Sequence, residues 1–159
     1  MTPANSVPPA APGRALVCAS RFNEAVTRRL VDGALGVLAA GGYDAARTDV
    51  LWVDGAFELP LVLDRALATG RYRLAVAVGA IVQGETPHFT FIATEVTRGI
   101  SQVALAHGVP VGFGVLTCDT LDQAVARAGG AAGNKGIEAG EAALRSRRAL
   151  DALEGHAAP

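Results

Sequence analysis

The chain has 159 residues, half of them hydrophobic, with 18% charged and a mean hydropathy of +0.31, which suits one domain burying about two thirds of the surface its unfolded form exposes. That balance implies a large core or surface hidden between subunits, while a net charge of −1, from 14 Lys+Arg against 15 Asp+Glu, lends no support to a nucleic-acid partner. No apolar run reaches the roughly 18 residues of a bilayer span, and the N-terminus lacks a basic start followed by an apolar core, so a cytoplasmic protein is expected.

Residues 1–13 carry Pro3, Pro8, Pro9 and Pro12 among small residues and are expected to form an extended arm. A single domain over residues 14–153 and a tail over 154–159 should follow. From Ala15 on, short apolar runs alternate with amphipathic segments. The runs Ala15 to Ala19, Thr48 to Val53, Leu74 to Val82 and Val109 to Leu116 read as strands. Helices are predicted over Asn23 to Ala40, Phe57 to Thr69, Pro87 to His107, Thr120 to Ala128 and Asn134 to Leu153. Gly41-Gly42 ends the first helix, His107-Gly108 followed by Pro110 ends the third, and Thr120 with Gln123 makes a capping box for the fourth. His107 then serves as a cation or cap at a helix C-terminus. Cys18 and Cys118 are far apart and lack CxxC spacing, which predicts reduced, buried thiols and no metal site. Arg145, Arg147 and Arg148 read as a solvated or subunit-contacting face.

Alternating β and α units call for a four-stranded parallel sheet with right-handed crossovers and helices on both faces, with ligands beyond the carboxyl ends of the strands. Ser20-Arg21-Phe22-Asn23, Asp54-Gly55-Ala56-Phe57-Glu58 and Gln83-Gly84-Glu85-Thr86 lie at that edge. In the third loop Thr86 reads as an N-cap with Pro87 at the first helical position. That puts His88 in the first turn, where the positive end of the helix dipole favours a neutral imidazole able to accept a proton. The free amides of Gly84 to Thr86 suit an anion. Phe22 and Phe57 are equally readable as packing residues, and Glu58 as a first-turn acid. The edge as a whole suits a planar polar heterocycle with an anionic second substrate. Arg127, late in the fourth helix, lies about 10 Å or more from its own strand end. If it binds an anion beside His88, a neighbouring subunit must supply it.

In order, Arg21-Phe22-Asn23, Gly55-Ala56-Phe57-Glu58-Leu59-Pro60, Gly79-Ala80-Ile81-Val82, Gly84-Glu85-Thr86-Pro87-His88-Phe89, Gly112-Phe113-Gly114-Val115-Leu116-Thr117, Gln123-Ala124, Arg127-Ala128-Gly129 and Asn134-Lys135-Gly136 resemble the lumazine synthases. The resemblance runs from about Arg14 to Leu150. It implies a flavodoxin-like three-layer αβα fold with strand order 2-1-3-4, assembled into homo-oligomeric pentamers that in many members close into an icosahedral shell. It also implies the penultimate step of riboflavin biosynthesis, without a cofactor or metal, and with riboflavin synthase as a candidate partner.

Carried over by position, Phe22 would stack on the pyrimidine ring. Ala56, Phe57 and Glu58 would line the ribityl and ring site, and backbone groups of Ala80, Ile81 and Val82 would read the uracil edge. Glu85 and Thr86 fall at the phosphate turn, His88 at the proton-transfer position and Arg127 at the phosphate-binding arginine. Phe113 is the aromatic given by the adjacent subunit, and Lys135 and Glu138 lie near the ligand. Thr90 and the lysine-free loop Gly129 to Gly133 depart from the commoner pattern, away from the reacting atoms. That loop's shortness favours a shell. A scaffold without turnover would not need Phe22, Glu58, His88 and Arg127 together, and Ser20 to Asn23 lacks the anion cradle of an FMN-binding flavodoxin.

Overall fold

The computed structural model describes residues 13–155; the expected arm and the end of the expected tail lie largely outside them. Four strands form one parallel sheet: β1 (Arg14–Ser20), β2 (Thr48–Val53), β3 (Tyr72–Val82) and β4 (Val111–Cys118), in the order β2-β1-β3-β4. The helices are α1 (Glu24–Ala40), α2 (Leu59–Leu67), α3 (His88–His107), α4 (Leu121–Ala126) and α5 (Lys135–Leu153). This is the predicted three-layer fold and strand order.

The period-2 alternation of side chains splits the core in two. Ala15, Val17, Ala19, Leu74, Val76 and Val78 pack with Leu30, Ala34 and Leu38 of α1 and Ala139 and Ala143 of α5. Leu16, Cys18, Ala75 and Ala77 face Leu59 and Leu63 of α2 and Val96 and Ile100 of α3. Both faces of β1 and β3 are therefore covered, which is why their sequences run apolar without a break. Helix α5 approaches closely because glycine leaves room: a Cβ on Gly112 would stand 2.0 Å from the Ala139 carbonyl oxygen, and one on Gly136 2.0 Å from that of Leu30.

Several boundaries move. Pro110 has no N–H to donate, and its carbonyl instead accepts from Ala75, so β4 begins at Val111 and extends to Cys118. The first turn of the predicted second helix is a 3₁₀ turn, Ala56–Glu58, followed by α2. Helix α4 is shorter than predicted. Arg127 is its C-cap, and two short strands unseen in the sequence, β5 (Ala128–Gly130) and β6 (Gly133–Asn134), pair antiparallel after it. The Thr120–Gln123 capping box is present.

Thr86 is not the cap of α3. Thr90 N donates to Pro87 O at 3.1 Å, which makes Pro87 the N-cap and His88 the first helical residue. His107 does lie in the last turn, and its Nε2 stands 2.8 Å from Asp64 Oδ1 on α2. Arg147 corrects the reading of a solvated arginine face. It is 8% exposed, its guanidinium donating to Asp151, Glu154 and the Arg73 carbonyl at the foot of the sheet, whereas Arg145 and Arg148 stay exposed.

Candidate active site

All four sheet strands point their carboxyl ends to one edge, and the loops leaving β1, β2 and β3 build a cleft there. After β1 the chain turns at once into α1. The amides of Arg21 and Phe22 donate to the carbonyls of Val53 (2.8 Å) and Asp54 (3.0 Å), so this loop is tied to the end of β2 while the Phe22 ring stays 72% exposed. Asn23 completes the turn with φ 60° and ψ 47°, the one positive φ at a non-glycine among the described residues. After β2 the Gly55 amide donates to Glu58 Oε2 at 3.0 Å, closing the 3₁₀ turn and leaving Oε1 without a protein donor among the described residues. Ala56 is buried beneath it and Phe57 projects outward.

At the end of β3 the Gln83 amide donates to Cys118 O at 2.8 Å, and the chain then leaves the sheet. Within the following turn the amides of Gly84, Glu85 and Thr86 have no acceptor among the described residues. His88 opens α3 beside them, exposed, its imidazole making no hydrogen bond to described residues. These loops enclose a cleft of about 570 Å³, the size of a small-molecule site. Phe22, Gly55, Ala56, Phe57, Glu58, Ala80, Ile81, Val82, Gly84, Thr86, His88, Phe89 and Ile92 line it. Glu85 sits in the same turn, exposed, outside that lining.

Phe113, Arg127 and Lys135 are elsewhere. They line a second hollow of about 480 Å³ between β4, α4 and α5, together with Cys118 and Glu138. Arg127 donates to its own helix at Gln123 O (3.1 Å) and meets no carboxylate among the described residues. Lys135 pairs with Glu138 at 2.5 Å. Burial pushes the Cys118 thiol up, and the Arg127 guanidinium acts weakly against it. Asn134 fixes this wall: its Oδ1 caps α5 through Gly136 N and Ile137 N, and its Nδ2 donates to Arg29 O of α1 at 3.1 Å. One chain thus carries an aromatic, imidazole-bearing cleft and, apart from it, a cationic hollow.

Two features escaped the sequence reading. Arg21 and Arg28 both lie over the ring of Trp52, each 5.2 Å from its centroid, and both donate to Glu24 Oε1 (2.9 and 3.0 Å). The i, i+4 spacing of Glu24 and Arg28, with Arg21 three residues before Glu24, was the available signal. Asn23 Nδ2 donates to the Ala80 carbonyl at 3.2 Å, a link that nothing in the sequence announces. Phe89 and Ile92 pack on the core and also wall the cleft.

Chemically, the cleft offers aromatic faces, the end of strand β3, a carboxylate oxygen with free lone pairs, a free imidazole and unpaired amides. The hollow offers a planar guanidinium suited to phosphate. Among the described residues no helix is long and apolar enough to cross a membrane.

Comparison with known proteins agrees with this chemistry. A family profile described as 6,7-dimethyl-8-ribityllumazine synthase matches residues 13–151. A protein of that name from Gemmatimonas aurantiaca is 53% identical over 131 residues, covering 82% of this chain and 80% of its own. Its namesakes from Desulfovibrio desulfuricans and Nitratidesulfovibrio vulgaris are 46% and 44% identical over 137 residues, covering 86% of this chain and 88% of theirs. The chain belongs to the 6,7-dimethyl-8-ribityllumazine synthase family, condensing enzymes of the penultimate step of riboflavin biosynthesis.

Proposed function

We propose that the chain condenses 5-amino-6-(D-ribitylamino)uracil with 3,4-dihydroxy-2-butanone 4-phosphate, giving 6,7-dimethyl-8-ribityllumazine, phosphate and water, at a site completed by a second copy of itself. The observation that carries this reading is the division of the site residues between two hollows of one chain. A cleft holding Phe22, Glu58 and His88 lacks a cationic side chain for an anion, and a hollow holding Arg127 lacks an imidazole. Joined across a subunit contact they make one complete site. Phe113, a large apolar side chain 43% exposed beside Arg127, is the kind of residue such a contact covers.

In this reading the pyrimidine stacks on Phe22, its ribityl chain runs over Ala56 and Phe57 to Glu58 Oε1, and its polar edge meets the backbone of Ala80, Ile81 and Val82. Glu85, Thr86 and the unpaired amides of their turn hold the phosphate from one side, and Arg127 of the second copy holds it from the other. Phe113 and Lys135 of that copy close the site. The pyrimidine amine attacks the ketone, water departs to leave an imine, phosphate is eliminated, the resulting enol tautomerises to a ketone, and the ribitylamino nitrogen attacks that ketone and closes the second ring with loss of a second water. His88 takes and returns the protons, an effect typically worth about 10² to 10⁴-fold. Holding the two substrates together contributes more, since oriented pairs reach effective molarities of about 10⁵ M or above.

A ring of five copies, closed further into a shell, satisfies each cleft with a neighbour's hollow. Riboflavin synthase is the natural consumer of the product, and the cytoplasm the natural setting. A single arm over residues 1–13 and a tail over 154–159 flank the catalytic domain in this scheme. Purified protein mixed with both substrates should produce lumazine absorbance and fluorescence well above the spontaneous rate. A rate equal to the protein-free control defeats the proposal. Sedimentation separates a free pentamer from a shell.

A further inference from the structure

Strand β3 outruns its neighbour. The β1–β3 ladder ends at Ala19↔Val78, whereas β3 continues to Val82. Alternate residues of a strand direct their backbone groups to opposite sides. Gln83 donates to β4 at Cys118 O, so Ile81 also faces β4, while Ala80 and Val82 face the side that β1 has vacated. No β1 backbone donor is left for the Ala80 carbonyl, because the amides of Arg21 and Phe22 have turned to Val53 and Asp54. A bare carbonyl would stand there, at a residue 2% exposed and lining the cleft.

Asn23 fills that vacancy. Its Nδ2 donates to Ala80 O at 3.2 Å, bridging the α1 entry to β3 across 57 positions of sequence. The backbone must adopt φ 60° to bring the amide there, a left-handed conformation that asparagine tolerates better than most side chains and glycine better still. Strain at a non-glycine, spent on a bond into the cleft floor, sets this turn apart from an ordinary helix entry. The same turn carries Phe22. One side chain therefore couples the aromatic face of the cleft to its polar edge.

We propose that Asn23 is a positioning residue for heterocycle recognition: by occupying the Ala80 carbonyl it fixes the end of β3 relative to Phe22. It also leaves the Val82 backbone as the next free polar edge for a planar donor–acceptor ligand. This rests on the proposed pyrimidine site. It goes beyond that reading in assigning a side chain that acts through the backbone of Ala80.

Asn23→Gly separates recognition from folding, because glycine accepts the positive φ while losing the donor. The expected result is an assembled oligomer whose melting temperature falls less than that of Asn23→Ala, a KM for the pyrimidine raised about ten-fold for the lost hydrogen bond, and a KM for butanone phosphate within about two-fold of wild type. Asn23→Ala loses the donor and also strains the turn, so its melting temperature falls while its KM pattern matches that of Asn23→Gly. A wild-type pyrimidine KM in Asn23→Gly overturns the proposal and leaves Asn23 a turn residue only. Equal rises in both KM values overturn it as well. Absence of turnover in the wild-type protein would instead refute the proposed reaction, and direct titration of the pyrimidine against wild type and Asn23→Gly still tests the positioning role.

Discussion

His88 and Arg127 line different hollows of the same chain: His88 opens α3 at the end of the cleft, and Arg127 caps α4 on the wall of the second cavity. In the proposed reaction the two come from two protomers. Variants His88→Ala and Arg127→Ala should each be nearly inactive alone, yet regain activity when co-assembled. At equal mixing in a closed ring, about a quarter of the contacts pair an intact cleft with an intact hollow. Co-expression with two affinity tags, followed by tandem purification, isolates the mixed assemblies. Activity no greater than the sum of the two parents would mean that the residues work within one chain.

Arg127→Lys keeps the positive charge and loses the planar fork, which in this structure is held by a bond to Gln123 O and neutralised by no described carboxylate. Lysine offers phosphate a point charge in place of a bidentate grip. The KM for butanone phosphate should rise about ten-fold, with pyrimidine binding nearly unchanged. Steady-state kinetics with each substrate varied in turn checks this. Equal loss for both substrates argues against a phosphate role.

The central strands were the most legible part of the sequence, because Leu74 to Val82 is buried on both sides and shows its burial as an unbroken apolar run. The edge of β4 was less so: Val109 and Pro110 are apolar enough to extend the pattern, yet pairing needs a donor that proline lacks. The β5–β6 hairpin gives no alternation to read, being built from glycine and alanine up to Asn134, with Gly129 and Gly133 at positive φ. Arg147 looked like its neighbours Arg145 and Arg148, and only the meeting of α5 with Arg73 in space makes it an interior residue. The motifs named most of the residues that line the cleft. The separation of Arg127 from His88 followed from helix geometry alone, whereas the Asn23–Ala80 bond depends on where one strand stops and its neighbour continues.

The thiols offer a test of the packing. Cys18 is fully buried in the sheet, and burial pushes its pKa up to about 12, while burial also raises that of Cys118. Thiolate is the reactive form, so at pH 8 only about one Cys18 in 10⁴ would be ionised even where reagent could reach it. The folded protein should show no fast reaction with a disulfide reagent, and two thiols per chain should react once guanidinium unfolds it. Rapid stoichiometric labelling of the native protein at Cys18 would contradict the layer assignment.

Acid stability should depend on Asp49 at the foot of the sheet. Its Oδ2 accepts from Arg14 Nε (3.0 Å) and from the Tyr72 hydroxyl (2.7 Å), and its Oδ1 from Arg14 at 2.6 Å, joining β1, β2 and β3. The Arg14 hydrogen bonds, followed by that of Tyr72, lower its pKa from 3.8 to about 2. A carboxyl depressed in the folded state binds its proton more readily when unfolded. The stabilisation is therefore fully present above about pH 4 and is lost as the pH falls toward about 2. The side chain is 33% exposed, so screening limits the cost of Asp49→Asn to roughly 1 kcal/mol at neutral pH. Denaturant melts at fixed protein concentration should show wild type and variant separated at pH 6 and converging at pH 2. A gap that stays constant across that range would show that the ionised carboxylate contributes nothing to holding the three strands together.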